Sequence, residues 1–190
     1  MSHPPTDPSM GPSALSAPWR LDYLQRLDRE EKQGKVPQPG SGSFLLDYWL
    51  APEMDAQNHV IVRTAEGMIL LNAYPYAAGH LLVALGDPRP SLLDYEPEQR
   101  RSLWALVVAA TALVERTLEP QGINTGINQG RAAGAGIPQH LHVHLVPRWG
   151  GDTNFITTVG QVRVIPASLD AMSERYRSVW ERMKSSGFAV

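Results

Sequence analysis

Two patterns in the sequence predict an α+β fold, in which helices pack on one face of an antiparallel sheet. Short apolar stretches rich in β-branched and aliphatic residues occur at 59–64, 68–73 and 80–85, and turn residues separate them. Longer stretches with apolar residues at helical spacing follow at 96–118 and 168–185. Strands joined by short turns pair antiparallel, and helices outside the strand region then cover the sheet, which defines the α+β class.

The individual strands are bounded by turn signals. The first two flank Ala65-Glu66-Gly67 and are predicted to form a hairpin with a short turn that contains glycine. Residues 122–128 (GINTGIN) predict a fourth strand, and residues 139–147 (QHLHVHLVP) predict a fifth. Three glycines lie in the connecting stretch 130–138, which we expect to be a loop.

The two long helices have recognisable ends. Pro97 near the start and Pro120 just past the end delimit the helix at 96–118, because proline is tolerated in the first turn but cannot continue a helix. Ser168 is a suitable N-cap for the last helix. Apolar side chains in that helix recur at 3-4-4-3 spacing and therefore form a single stripe.

We expect one domain, residues 19–190, preceded by a disordered tail, residues 1–18. The tail is rich in proline and serine and offers little apolar surface to bury. The domain begins with apolar residues typical of a short helix at 19–33. A chain of 190 residues is an ordinary length for one domain with a tail.

The composition narrows the classes of partner. The formal net charge is −2, so nonspecific nucleic-acid binding is not expected. There is no cysteine, which excludes disulfides and thiolate metal sites. The first residues lack the basic and apolar regions of a signal peptide, and no apolar run reaches the roughly 20 residues that a membrane span needs. We therefore expect a cytoplasmic protein without a membrane partner.

Three of the six histidines alternate in one predicted strand, at His140, His142 and His144. Side chains of a strand alternate between its two faces, so the three imidazoles are predicted to share one face. The apolar residues that alternate with them are expected to join the core on the other face: Leu141, Val143 and Leu145.

Three uses of this histidine row are open. The histidines can be ordinary half-buried residues, or they can ligate a zinc or copper ion, although the flanking sequence offers no obvious acidic partner. They can also act on phosphorus, with one imidazole as nucleophile and the others as supporting groups. The glycine-rich stretch at 130–136 comes directly before the row, and its backbone N–H groups are candidates for binding phosphate oxygens.

At this point the sequence resembles the histidine triad family. Residues 140–146 (HLHVHLV) match its His-φ-His-φ-His-φ-φ signature, where φ is apolar. Residues 17–20 (APWR), 71–81 (LNAYPYAAGHL) and 128–136 (NQGRAAGAG) are similar to the branch that contains bacterial diadenosine tetraphosphate phosphorylases and hydrolases. The resemblance covers roughly residues 14–184 and implies a small α+β domain that forms a homodimer.

The resemblance also implies roles for individual residues. His142 corresponds to the nucleophile, His140 and His144 to its supporting histidines, and His80 to a fourth histidine near the phosphates. Further residues are expected to contact substrate, either because they match the family pattern or because they are polar and lie beside it: Asn72, Asn128, Gln129, Gly134, Gly136, Gln139 and Arg148. No cofactor and no metal ion is implied for the covalent chemistry.

The implied activity is transfer or hydrolysis of nucleotides. The nucleophile attacks the α-phosphate of a dinucleoside polyphosphate and forms a nucleotidyl-histidine, which then passes to water or to inorganic phosphate. Two alternatives stay open, namely a nucleoside phosphoramidate hydrolase and a nucleotide-binding protein that has lost turnover.

The sequence departs from the family pattern at two places. Where many bacterial relatives carry Cys-x-x-Cys for a structural zinc ion, residues 43–46 read Ser-Phe-Leu-Leu, so we expect apolar packing instead of zinc. The apolar replacements are expected to be Leu45, Leu46, Tyr48 and Trp49. Many members also place Ser or Gln shortly before the first histidine to assist the leaving group, whereas Gly136 and Ile137 occupy those positions here. This difference leaves the best substrate open.

Overall fold

The computed structural model describes residues 42–152 and 167–188. The predicted tail at 1–18 and the predicted helix at 19–33 lie outside the described residues, so both stay predictions. The helices and strands, in chain order, are α1 (Phe44–Leu50), β1 (Val60–Arg63), β2 (Gly67–Leu71), β3 (Leu81–Leu85), α2 (Pro97–Leu118), β4 (Gly122–Ile127), β5 (His142–Arg148) and α3 (Leu169–Ser185). Short 3-10 turns span Pro52–Met54, Leu92–Asp94 and Arg131–Ala133.

The five strands form one antiparallel sheet in the order β1-β2-β3-β5-β4. The predicted α+β class is confirmed, and each predicted strand within the described residues is present. One boundary differs in a way that matters for the histidines. The last strand begins at His142 rather than at residue 139, because its pairing with β3 starts at Ala84 opposite His142. His140 therefore precedes the strand.

The main core lies between one face of the sheet and the two long helices. Val143 and Leu145 of β5 are fully buried there, together with Leu113 of α2 and Tyr176 of α3. The predicted inward face of β5 is thereby confirmed. Burial of this many aliphatic side chains supplies most of the driving force for folding, at roughly 25 cal/mol per Å² of apolar surface.

The ends of the long helices follow local chemistry. Glu96 and Gln99 form a capping box at the start of α2, and Pro97 occupies the first turn. Glu119 ends α2 in the left-handed conformation with φ of 47°, just before Pro120. Ser168 accepts the N–H of Ala171 and caps α3 as predicted. No helix among residues 42–152 and 167–188 is long and apolar enough to cross a membrane.

The short helix α1 was not predicted, and it covers the face of the sheet opposite α2 and α3. Leu45 is fully buried against Leu70 and Leu82. Trp49 lies so close to Gly86 that a Cβ atom there would overlap the indole ring. The Arg63 guanidinium lies 4.9 Å from the Trp49 ring and donates to the Tyr48 and Trp49 carbonyls. The expectation that all helices lie on one face is therefore wrong for α1, whose apolar side chains bury the second face.

Candidate active site

The histidine cluster lies on the face of the sheet that α1 partly covers. Cross-strand partners share a face, and His142 and His144 lie opposite Ala84 and Leu82 of β3. His140 is fully buried, and His142 is only 6% exposed. The predicted alternation therefore holds for His142 and His144, while His140 reaches the cluster from the bend before the strand.

The tautomer of His142 is set by the backbone. Its Nδ1 lies 2.9 Å from the carbonyl oxygen of His140 and must donate its proton there, since a carbonyl can only accept. The neutral ring then keeps its lone pair on Nε2. Burial lowers the pKa of His142 below its ordinary value of 6.5, because the charged ring is poorly solvated there. His142 is thus a neutral imidazole near pH 7, with its lone pair on Nε2.

Both ring nitrogens of His140 bind groups within the protein. Nε2 donates to the carbonyl oxygen of Leu85 at 2.8 Å, and Nδ1 therefore accepts from the Ser43 hydroxyl at 2.8 Å. Burial lowers the pKa of His140 as well. A ring whose two nitrogens are both bound in this way stabilises the backbone beside His142 and is not placed to react itself.

His80 and His144 form a directional pair. The backbone N–H of Tyr76 donates to Nδ1 of His80 at 3.1 Å, so a neutral His80 carries its proton on Nε2. That proton is donated to Nδ1 of His144 at 3.0 Å. A neutral His144 must then carry its own proton on Nε2. The pair therefore presents an N–H donor on His144, on the same face as His142.

The predicted asparagines contact this pair. Asn72 lies 3.3 Å from Nδ1 of His80 through its amide nitrogen, and its amide oxygen accepts the N–H of Tyr74. The amide nitrogen of Asn128 lies 3.4 Å from Nε2 of His144. In this tautomer the Asn128 amide nitrogen and Nε2 of His144 both carry hydrogen, so both can donate to an acceptor oxygen that lies beside them.

Tyr76 belongs to the site but was not among the predicted site residues. Its ring stacks on His144 with centroids 5.7 Å apart at 17°, and it contacts His80 at 4.6 Å. Tyr76 is 40% exposed. Its place in the LNAYPYAAGHL stretch, four residues before His80, was the only signal in the sequence.

The remaining predicted contacts are less central. Gln129 accepts the N–H of Leu92, and Gln139 donates to the carbonyl of Gly42, so both side chains brace neighbouring loops. Arg148 lies at the far end of β5, where it pairs with Asp152 and donates to Asn124. That ion pair raises the pKa of Arg148, and the guanidinium is a structural contact in this state.

The glycine-rich loop is built by its own backbone bonds. Gly130 and Gly134 have φ of 80° and 85°, in the left-handed region where glycine is favoured. The N–H groups of Ala133 and Ala135 donate to the carbonyl of Gly130, and the N–H of Gly134 donates to that of Arg131. These three donors shape the loop. Gly136 lies beyond them and is exposed.

Metal ligation finds no support in the geometry of the described ranges. No group of three or more His, Asp or Glu side chains in residues 42–152 and 167–188 is arranged to hold a metal ion. The four clustered histidines bind one another, a hydroxyl and two backbone carbonyls instead.

Fold and site together define an α+β protein with a cluster of largely buried histidines on one face of its antiparallel sheet. A family model described as HIT domain matches residues 53–151. AP-4-A phosphorylase of Mycobacterium tuberculosis (strain CDC 1551 / Oshkosh) is 34% identical to this chain over 169 residues, which are 88% of this chain and 84% of that protein. The chain therefore belongs to the HIT family, as the histidine signature predicted.

Two further similarities fit this assignment. The asymmetrical bis(5'-nucleosyl)-tetraphosphatase of Schizosaccharomyces pombe is 32% identical over 95 residues, covering 50% of this chain and 52% of that protein. The crystal structure of a zinc-bound histidine triad family protein from Mycobacterium smegmatis covers 74% of this chain and 96% of its own, with a TM-score of 0.60 and 24% identity. At 24% identity, the similarity to the Mycobacterium smegmatis structure supports the fold alone.

Proposed function

We propose that this protein is an enzyme that cleaves dinucleoside polyphosphates at an α-phosphate through a nucleotidyl-histidine on His142. One observation carries the proposal: the Nδ1 proton of His142 is held by the carbonyl of His140 at 2.9 Å, so the lone pair stays on Nε2. Burial keeps the ring neutral at physiological pH, which is the state that a nucleophile needs.

In the first step Nε2 of His142 attacks the α-phosphorus. The P–N bond forms as the bond from that phosphorus to the bridging oxygen breaks, and the departing polyphosphate takes the electron pair. Charge then spreads over the phosphoryl oxygens, where preorganised donors act most strongly. Nε2–H of His144 and the amide of Asn128 converge within 3.4 Å and are the donors we assign to those oxygens.

In the second step an acceptor oxygen attacks phosphorus, the P–N bond breaks and Nε2 regains its lone pair. Water as acceptor gives a hydrolase, and inorganic phosphate gives a phosphorylase. We propose inorganic phosphate as the acceptor. The match to the relative named a phosphorylase covers 84% of that protein, whereas the match to the tetraphosphatase covers 52% of it.

Product analysis tests both steps. The protein is mixed with diadenosine tetraphosphate in chelator, with and without inorganic phosphate, beside His142→Ala. His59→Asn is a matched control, because His59 lies outside the cluster at φ of 52°, a conformation that asparagine tolerates. We expect ADP plus ATP only when phosphate is present, full activity in His59→Asn and none in His142→Ala.

Each other result changes the proposal in a defined way. AMP plus ATP regardless of phosphate would replace the acceptor with water and keep the nucleophile. Activity that survives in His142→Ala would remove His142 as the nucleophile. A wild-type protein that leaves the dinucleotide intact but cleaves a nucleoside phosphoramidate would move the substrate to that class. Nucleotide binding without turnover of either substrate would reduce the protein to a binding module.

We also propose that the protein is a homodimer. Strand β4 is one of the two edge strands of the sheet, and four of its six residues are exposed. Trp104 and Val108 are exposed by 44% and 64% on α2, and positions four apart lie on one helix face. Analytical ultracentrifugation of Trp104→Glu should then give a monomer, while Leu50→Glu on α1, a control that is 69% exposed, should remain dimeric. A monomeric wild type would overturn this proposal.

Two smaller expectations complete the proposal. The cytoplasm is the location that suits a nucleotide substrate, and fractionation of cells that express the protein tests it. We also propose a single domain at 19–190 that follows a disordered tail at 1–18. Limited proteolysis followed by mass spectrometry should release the tail and leave a product that starts near residue 19.

A further inference from the structure

The backbone that holds the nucleophile lies just outside the sheet. Pairing between β3 and β5 begins at Ala84 opposite His142, so His140 has no partner residue in the ladder. Yet the carbonyl of His140 accepts the Nδ1 proton of His142. The tautomer of the nucleophile therefore depends on a carbonyl that strand pairing does not fix. The N–H of Leu141, which belongs to the same peptide unit, donates to the carbonyl of Arg89 at 2.8 Å and holds this peptide on one side.

The side chain of His140 adds a second restraint through two anchors. Nε2 donates to the carbonyl of Leu85 at the end of β3, and Nδ1 accepts from the Ser43 hydroxyl, both at 2.8 Å. The Ser43 contact joins residues that are 97 positions apart in the chain, and Ser43 is 1% exposed. A buried contact of this kind restrains the ring of His140 from the side of α1.

The direction of the Ser43 bond is forced by its neighbours. Ser43 is the N-cap of α1, and its oxygen accepts the N–H of Leu46 at 3.3 Å. The proton of His140 is on Nε2, because the Leu85 carbonyl can only accept. The Ser43 hydroxyl must therefore donate its hydrogen to Nδ1. One hydroxyl caps a helix and anchors the histidine at the same time.

We infer that Ser43 is a positioning residue for the nucleophile: its hydroxyl fixes the ring of His140, and the fixed His140 carbonyl holds His142 with Nε2 ready to attack. The inference rests on the proposed function, in which His142 is the nucleophile. It assigns to the first turn of α1 a part in the chemistry, although no side chain of that helix needs to touch substrate.

If Ser43 acts only as a helix cap, its substitutions should have different effects from those of a positioning residue. Comparison of Ser43→Ala with Ser43→Gly separates the two roles. Ser43→Ala removes both the cap and the anchor, whereas Ser43→Gly removes the anchor but retains most of the capping preference. Ser43→Thr keeps both hydrogen bonds. Ser168→Ala is the matched control, because Ser168 caps α3 through the same kind of bond, to the N–H of Ala171, far along the chain from His140.

We expect Ser43→Ala and Ser43→Gly to lower kcat alike, by about 10- to 100-fold, as for a small misplacement of a reacting group. KM should change by less than about threefold, because substrate contacts remain. Ser43→Thr should restore kcat to within about threefold of wild type, and Ser168→Ala should leave kcat unchanged. A loss in Ser43→Ala that Ser43→Gly does not share would overturn the inference and leave Ser43 as a helix cap.

A spectroscopic measurement separates failure of this inference from failure of the proposed function. In protein labelled with 15N-histidine, the long-range 1H–15N spectrum should show His142 with its proton on Nδ1 alone, and Ser43→Gly should show a mixture of tautomers. An unchanged His142 signal in Ser43→Gly would refute the positioning role, whatever the substrate is. If the spectra are as expected but the protein does not turn over dinucleotides, only the proposed function is refuted.

A second variant keeps the test decisive if Ser43→Gly does not fold. Ser43→Cys preserves the size of the side chain but donates a hydrogen bond more weakly. Its kcat should fall between those of wild type and Ser43→Ala. A kcat equal to that of wild type would count against the anchor as firmly as an unchanged His142 signal.

Discussion

The two faces of the sheet are both largely buried, yet they meet different requirements. On the α2 and α3 face, aliphatic side chains such as Val143 and Leu145 are fully buried and need only contact and volume. On the other face, His142 and His140 are also buried, but their ring nitrogens form specific hydrogen bonds. Nε2 of His140 donates to the Leu85 carbonyl, and Nδ1 of His142 donates to the His140 carbonyl. Strand β5 contributes to both faces with alternate residues.

This comparison teaches that burial alone does not say what a residue does. Loss of an aliphatic group on the core face costs free energy of unfolding, because a cavity remains. We expect loss of an imidazole on the histidine face to remove a defined proton position and so to alter chemistry more than stability. The predictions that follow test whether the two faces separate in this way.

The largest expected effect is on the histidine face. His142→Ala should lower kcat by at least about 1000-fold, since the proposed nucleophile is removed. Its free energy of unfolding should change by only about 1 kcal/mol, because one hydrogen bond to the His140 carbonyl is lost. Steady-state kinetics and urea unfolding measure the two quantities. Loss of stability in proportion to activity would mean that the faces are not separate.

The complementary substitution is on the core face of the same strand, β5. Leu145→Ala should lower the free energy of unfolding by about 3 kcal/mol, within the range of 2–5 kcal/mol for such truncations, because Leu145 is fully buried. The kcat per folded molecule should stay within about threefold of wild type below the unfolding transition. A kcat that falls as far as in His142→Ala would contradict the comparison.

Two pH effects of intermediate size on activity and stability are expected, one from the histidine face and one from the core face. Burial lowers the pKa of His140 and His142 from 6.5, so the acid limb of kcat should lie below pH 6.5, where His142 becomes charged. Stability from these groups is complete above 6.5 and is lost as pH falls towards their folded-state pKa values, because the unfolded chain then binds more protons.

Tyr95 gives the opposite sign at high pH. Burial raises its pKa from 10.0 to about 12, so its contribution is complete below 10 and is lost as pH rises through that interval. Urea unfolding across pH should therefore show a plateau from about 6.5 to 10. A stability maximum below pH 6 would mean that the histidines are charged in the folded protein.

The smallest expected effect concerns Tyr76, which stacks on His144. Tyr76→Leu should lower kcat by about two- to tenfold, which corresponds to a typical aromatic contact. Tyr76→Phe keeps the ring and should match wild type. An equal loss in both variants would assign the effect to the hydroxyl group and not to stacking.

Much of the fold could be predicted from local patterns. The turn at Ala65-Glu66-Gly67, the prolines around α2 and the Ser168 cap are short-range signals, and all describe the observed elements. The alternation of histidines and aliphatic residues also predicted which side of β5 meets the core. These signals work because each depends on the geometry of a few adjacent residues.

The features that escaped prediction depend on residues far apart in the chain. Helix α1 has only seven residues, too few for a helical pattern to be recognised, although the apolar packing of Leu45 and Trp49 that stabilises it was expected from the sequence. The late start of β5 reflects where β3 ends, and the link from Ser43 to His140 spans 97 positions. The roles of the individual site residues stay predictions until the variants are measured.

Gly86 has a consequence for how this chain can evolve. Trp49 occupies the space where any side chain at position 86 would begin, and residue 86 directly follows Leu85, whose carbonyl binds His140. A side chain at position 86 is therefore expected only together with a smaller residue at position 49. In a library randomised at both positions, a larger residue at 86 should survive selection for activity only in clones that carry a smaller residue at 49. A lineage that evolves by single substitutions is therefore expected to replace Trp49 before it can replace Gly86.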